Sequence, residues 1–270
     1  MLHSRTITTV ASRTLLVAAV VLLQAVGIPT DAKAQSEGGL LLSVGAEKKL
    51  GKKLSLNLEA DFRTRNNFKT VDRWSGSLGA EYKFTKWLKA DAGYTLLHTN
   101  FREKITDYTS SKGNAKQKWR PSYWGLRHRT YVSLTADHKI WKNLRLSLRE
   151  RWQYTYRPEA ETTRWKLDPR DYTMELDDGY TRDGKGKNQL RSRLLLSWDQ
   201  KLALFKPYGS VELYNSWAVE KIRYTVGTDI RLGRNHALDV FYRFQNQRQQ
   251  DEEDYDPNMH YVGVGYKIKF

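Results

Sequence analysis

Leu54, Leu56, Leu58, Ala60 and Phe62 alternate with Ser55, Asn57, Glu59, Asp61 and Arg63. Side chains two apart share a face of an extended chain, whereas a helix would scatter these five around its axis. The segment therefore predicts a strand with one apolar and one charged face. The rhythm recurs along the chain. Its runs are Leu40 to Ala46, Leu78 to Phe84, Leu88 to Leu96, Thr130 to Ala136, Leu144 to Leu148, Leu190 to Trp198, Val211 with Leu213, Ile222 to Leu232, Leu238 to Phe244 and Val262 to Phe270. Each is close to the roughly ten residues with which a tilted strand crosses a bilayer.

Connections alternate in length as well. Lys48 to Lys53, Thr85 to Trp87, Lys139 to Asn143, Gln200 to Lys206 and Gly233 to His236 are short, while Phe101 to Leu126 and Arg157 to Lys187 are long. Short turns at one rim and longer loops at the other predict an all-β, transmembrane, antiparallel up-and-down β-barrel, with short turns periplasmic and long loops extracellular. Trp87, Trp141 and Trp198 fall toward the first rim, and Trp74, Trp124, Trp152 and Trp217 toward the second, as interfacial girdles require. The runs number eleven, an odd count in a class where even numbers are the rule. The expectation is ten to twelve strands, with twelve preferred, and an antiparallel closure whose first strand the pattern does not identify.

The two ends fix where such a barrel belongs. Arg5 and Arg13 precede an apolar stretch from Leu15 to Ile28 and an Ala32-Lys33-Ala34 site, the three parts of a secretory signal peptide over residues 1–34. The uninterrupted apolar run is too short for a spanning helix. Residues 35–270 then form one barrel domain. At the far end Val262, Val264, Tyr266, Ile268 and Phe270 make one apolar stripe. Tyr266, Ile268 and Phe270 resemble the C-terminal signal that outer-membrane barrels present to the barrel-assembly machinery. The expected location is the outer membrane of a Gram-negative bacterium, with outer-membrane lipids and lipopolysaccharide as partners.

Composition enters as a puzzle that this architecture solves. Mean hydropathy is −0.72, a value suited to a soluble protein. A barrel accommodates it because only every second strand residue meets lipid. There is no cysteine, so no disulfide, thiolate metal site or cysteine nucleophile. The formal charge of +16 falls to +14 when Arg5, Arg13, Lys33 and Asp31 leave with the leader. In an exported chain that charge argues for anionic solutes or lipid phosphates and against nucleic acid.

The motifs Gly45-Ala46-Glu47-Lys48-Lys49, Leu58-Glu59-Ala60-Asp61-Phe62-Arg63-Thr64-Arg65, Asp72-Arg73-Trp74, Gly93-Tyr94 and Leu148-Arg149-Glu150-Arg151-Trp152-Gln153-Tyr154 extend across the mature chain. On these it resembles a family of predicted outer-membrane β-barrel proteins defined only as a domain of unknown function. The resemblance implies the architecture and supplies no activity.

The second strand face carries the candidate chemistry. Arg63, Arg127, Arg129, Arg145, Arg149, Arg151, Arg191, Arg193, Arg223, Arg231 and Arg243 are expected to line the lumen, beside fewer carboxylates. Two readings follow: a lattice of Arg–carboxylate pairs that fills a narrow interior, or a porin-like channel whose basic surplus selects small anions. An outer-membrane lipid-modifying enzyme is the alternative class, and a structural or surface-binding barrel remains a third. For the enzyme, Ser192, Glu150 and His128 are the catalytic candidates, all on the lipid-facing register. Glu150 breaks the apolar pattern of that face, and a β-bulge or a rim position beside Trp152 is the expected explanation. The pattern indicates neither a cofactor nor a metal. Asp251-Glu252-Glu253-Asp254-Tyr255-Asp256 reads as a solvated acidic loop, and the basic segment Phe101 to Leu126 suits lipopolysaccharide phosphate.

Overall fold

The computed structural model describes residues 36–110, 113–198, 204–248 and 256–270. The leader expected over residues 1–34 and the run Asp251–Tyr255 lie outside the described residues. The alternating runs all become strands. In chain order they begin with β1 (Ser36–Lys49), β2 (Leu54–Arg65), β3 (Thr70–Lys83), β4 (Leu88–Phe101), β5 (Lys104–Thr109) and β6 (Ala115–Arg120). Next come β7 (Tyr123–Trp141), β8 (Leu144–Arg157), β9 (Ala160–Glu161), β10 (Trp165–Asp168), β11 (Thr173–Leu176) and β12 (Thr181–Arg182). The last are β13 (Lys185–Trp198), β14 (Phe205–Asn215), β15 (Val219–Arg231), β16 (His236–Gln247) and β17 (Asn258–Lys269).

Eleven of these close into a barrel in the order β1, β17, β16, β15, β14, β13, β8, β7, β4, β3, β2. The strand number corrects the preference for twelve, and the closure corrects the expectation of antiparallel pairing. In a strictly up-and-down wall with an odd number of strands, the first and last run in the same direction. β1 and β17 accordingly pair in parallel, from Ser36 opposite Asn258 to Glu47 opposite Lys269. The run Leu40 to Ala46 is thus part of the wall. Backbone bonds from Phe270 N to Glu47 O (2.8 Å) and from Lys49 N to Phe270 O (3.3 Å) finish the seam at the short-turn rim.

A parallel ladder is slightly weaker per residue than an antiparallel one. Here the seam is backed from inside by a cluster of Leu41, Met259, Tyr261 and Phe241, with Tyr208 packed against it. Inward aromatics also lie across glycines of neighbouring strands. Tyr131 Oη would sit 2.7 Å from a Cβ added at Gly79 and 2.6 Å from one added at Gly93, and the Phe241 ring occupies the space a Cβ at Gly263 would need.

The outer face is apolar and uncovered. Leu58, Leu78 and Val226 are each about 60 % exposed, because their neighbours in the sheet are other outward residues and no second layer packs over them. Trp87, Trp141 and Phe270 project at the short-turn rim, Trp74 and Trp124 toward the long-loop rim, all exposed. Beyond that rim the two long loops contain strands absent from the alternation pattern. β5 and β6 from the first loop join β10 and β11 from the second in a four-stranded sheet, while β9 and β12 form a two-stranded ladder.

Candidate functional site in the barrel interior

Odd-numbered residues of β2, β7, β8, β13, β15 and β16 point inward and enclose a cavity of 650 Å³. Seventeen basic and eight acidic side chains line it, so the described interior carries a positive surplus. Arg63, Arg127, Arg129, Arg149, Arg151, Arg191, Arg193, Arg223 and Arg243 are among them. Arg145 and Arg231 do not line this cavity. They lie at the short-turn ends of β8 and β15, opposite Ser197 and Ala237.

Register brings like charges face to face. Arg149 is directly opposite Arg193, and Arg151 opposite Arg191, arrangements that destabilise a sheet unless a counter-charge intervenes. Glu212 provides it. Its carboxylate accepts from Arg149 Nη2 at 2.8 Å, Arg191 Nη2 at 2.9 Å, Arg223 Nη1 at 3.1 Å and the Tyr214 hydroxyl at 2.9 Å. Its side chain is only 5 % exposed. A second row runs along one register line, Asp91 opposite Ser133 and Ser133 opposite Arg151. There Arg151 Nη2 meets Asp91 at 2.9 Å and Arg151 Nε meets Ser133 Oγ at 2.7 Å.

These pairs leave a remainder. Arg63, Arg73, Arg129, Arg193 and Arg243 line the cavity and have no carboxylate partner within 4.0 Å among the described residues. Their supports are neutral. Arg63 lies over the Tyr261 ring at 5.6 Å and Arg243 over Phe241 at 4.6 Å. Arg129 Nε donates to Thr155 Oγ1 at 3.0 Å and Arg243 Nε to Thr225 Oγ1 at 3.2 Å. Aromatic faces and hydroxyls orient a guanidinium without cancelling its charge.

A family model matches residues 38–256, most of the wall just described. The chain belongs to the family described as Protein of unknown function (DUF2490). All five motifs that carried the sequence resemblance fall inside the matched span. Among solved structures this family member is similar to the beta domain of the Bordetella autotransporter BrkA. The two share 11 % identity over 81 % of this chain and 82 % of that one, with a TM-score of 0.46, a likeness too distant to bear on function. The comparison with curated proteins gives no match.

On the outward-facing register the structure brings two of the three enzyme candidates together. Glu150 and Ser192 are direct cross-strand partners, and Ser192 Oγ donates to Glu150 Oε2 at 2.6 Å. Glu150 is the seventh of fourteen residues in β8 and its ladder to β13 is unbroken. The expected bulge or rim position is therefore corrected: the carboxylate faces outward from the middle of the wall, and its serine partner satisfies it. His128 is elsewhere. Leu134 is the β7 residue opposite Glu150, and His128 lies six positions further along, about 20 Å away at strand rise. Its ring instead meets the Tyr94 hydroxyl at 2.6 Å. The same pairing recurs between His260 and Tyr242 (2.6 Å) and between His236 and Tyr266 (2.8 Å). Each Tyr–His pair joins two polar tips on the exposed outer face. At the end of β17, Ile268 is half-buried beside this Tyr266, and Phe270 is exposed.

The loop sheet carries its own ion pairs. Arg170 donates from its side chain and its backbone N–H to Asp168 and holds that carboxyl well below the usual range. Lys166, at 2.8 Å, and then Arg164 lower the carboxyl pKa of Asp177.

Proposed function

We propose that this protein is a barrel of the Gram-negative outer membrane whose interior admits small anionic solutes in preference to cations. The short-turn rim is periplasmic in this reading, and the long-loop rim faces the cell exterior and its lipopolysaccharide. Five cavity arginines with no carboxylate partner carry the proposal. Glu212 is already shared by three guanidiniums, so an entering anion is the natural counter-charge for the others. Several such sites in one cavity keep an ion attracted without holding it at any single one. An eleven-stranded wall lies between eight-stranded barrels, which side chains fill, and the sixteen-stranded class with open channels, consistent with a narrow path for small solutes.

Planar-bilayer recording with purified protein under a potassium chloride gradient tests this. The expected result is single-channel conductance with a reversal potential on the chloride side. Electrically silent bilayers, or a reversal potential on the potassium side, would refute it.

A further inference from the structure

We propose that the interior holds a two-ended site for an acidic amino acid or a small solute of that kind, with an acid group between Arg63 and Arg73 and an ammonium over Asp61 and Glu59. The inference rests on the anion reading of the cavity and names a solute class for it. Register sets Arg63 directly opposite Arg73, and Arg73 opposite Thr99. The other opposed arginine pairs each have a member bonded to Glu212. Neither Arg63 nor Arg73 has a carboxylate within 4.0 Å among the described residues. Arg63 Nε, Arg73 Nε and Thr99 Oγ1 are shielded from solvent and have no hydrogen-bond partner. Such atoms in one row, two of them on like charges, cost free energy that a bound acid group recovers.

A β-bulge aims the pair. β3 carries one extra residue, Asp72, because Arg63 opposite Arg73 is followed by Thr64 opposite Val71. Asp72 and Arg73 therefore both line the cavity, and the Asp72 carboxylate goes to Arg65 Nη1 at 3.3 Å rather than to Arg73. Bulges of this kind re-aim side chains beside functional sites. Two residues toward the short-turn rim, about 7 Å at strand rise, the next inward row sets Asp61 opposite Ser75, and Glu59 follows on the same face. Ser75 Oγ donates to Asp61 Oδ2 at 3.2 Å. Neither Asp61 nor Glu59 has a cationic side chain within 4.0 Å among the described residues. Their partners across β1 are Ser43 and Gly45, too small to cover them. A simple anion answers only the arginine row. A solute with an acid at one end and an ammonium at the other answers both, and forked guanidiniums suit carboxylate oxygens.

The test is calorimetric titration of the full-length barrel in neutral detergent with L-glutamate and, in parallel, with glutarate, which has the same carbon chain and both carboxylates but no ammonium. Arg73→Gln and Asp61→Asn are the variants, and Lys86→Gln, exposed at the short-turn rim, is the control. Wild type and Lys86→Gln should bind glutamate about tenfold tighter than glutarate, as one added charge-assisted contact implies. Arg73→Gln should weaken both ligands about tenfold, and Asp61→Asn should remove the preference for glutamate. Urea unfolding without ligand separates binding from folding: Arg73→Gln should be no less stable than wild type, because it relieves two opposed like charges. No heat with either probe, glutarate bound as tightly as glutamate by wild type, equal affinities in all variants, or a less stable Arg73→Gln overturns the proposal. Titration in detergent requires no conduction. A silent bilayer therefore refutes the channel and leaves this site standing, whereas an absent glutamate preference removes the site and leaves an anion channel standing.

Discussion

Replacing Glu212 with Gln isolates the central electrostatic feature of the interior. The carboxylate holds three guanidiniums at 2.8, 2.9 and 3.1 Å and a tyrosine hydroxyl at 2.9 Å. Glutamine keeps the shape and removes the charge. Arg149, Arg191, Arg193 and Arg223 are then left as an uncompensated group, two of them directly opposed across strands. Removing one member of a buried ion pair typically costs about 3–5 kcal/mol, and one site here serves three partners, so the cost belongs in that range. The assay is urea unfolding of protein refolded into phosphatidylcholine vesicles, followed by tryptophan fluorescence. Two further measurements separate electrostatics from packing. Adding Arg149→Gln to the Glu212→Gln background should recover roughly 1–2 kcal/mol by relieving repulsion. Sulfate should also restore stability in a concentration-dependent way, because an anion that binds only the folded form stabilises it by mass action. A loss under about 0.5 kcal/mol, the margin of an ordinary surface substitution, would refute the argument. So would a loss insensitive to both Arg149→Gln and sulfate.

The parallel seam predicts that Cys introduced at Leu42 and Val264, opposed in register, forms a disulfide under mild oxidation; preferential cross-linking of Leu42→Cys with Val262→Cys, on the same outer face, would contradict the pairing. Substituting Glu150→Leu together with Ser192→Ala should be neutral or raise stability by about 1 kcal/mol in vesicle unfolding, since both polar partners leave the apolar outer face at once. A clear loss would mean that the pair has another role. Asp168 and Asp177 have carboxyls held below the usual range by Arg170 and by Lys166 with Arg164. Their contribution to loop order is therefore full above the ordinary carboxylate pKa of about 3.9 and is lost only as pH falls through the lowered folded value. Proteolysis of the loop over residues 158–184 should stay constant from about pH 7 to pH 4 and accelerate at about pH 2; a rise already near pH 5 would oppose the assignment.

What the sequence reveals follows from what period-two alternation can report. It records which residues share a face, and so the wall strands were legible run by run, while two of the eleven arginines assigned to the inner face, Arg145 and Arg231, do not line the cavity. It records nothing about which strand pairs with which. The seam joins Ser36 to Asn258, a pairing that no local pattern encodes, and the rule of even strand number pulled the expectation away from the eleven runs that were visible. The loop sheet was hidden for a related reason. β10 and β11 are four residues each, too short for alternation to register, and β6 meets β10 only because two loops far apart in the chain fold together. Inward aromatics were missed because Tyr131, Phe241 and Tyr261 sit on a face read for its charge. The available signal was small: Gly79 and Gly93 are opposed in register, and Gly93 is opposed to Tyr131, so that paired glycines mark where a ring must lie.

Glu150 illustrates the limit most sharply. Its parity placed it on the lipid face, and the cost of a carboxylate there argued for a local break in the strand. The strand does not break; the hydroxyl of Ser192, a residue 42 positions away in sequence, supplies the missing hydrogen bond. Inside the barrel the same kind of non-local compensation makes Glu212 tolerable among arginines and makes opposed arginines tolerable at all. Compensation there is incomplete by five guanidiniums among the described residues. In the proposed channel, that remainder is what would distinguish an interior with attraction left for an anion from one filled with salt bridges, which would stabilise the barrel and pass nothing.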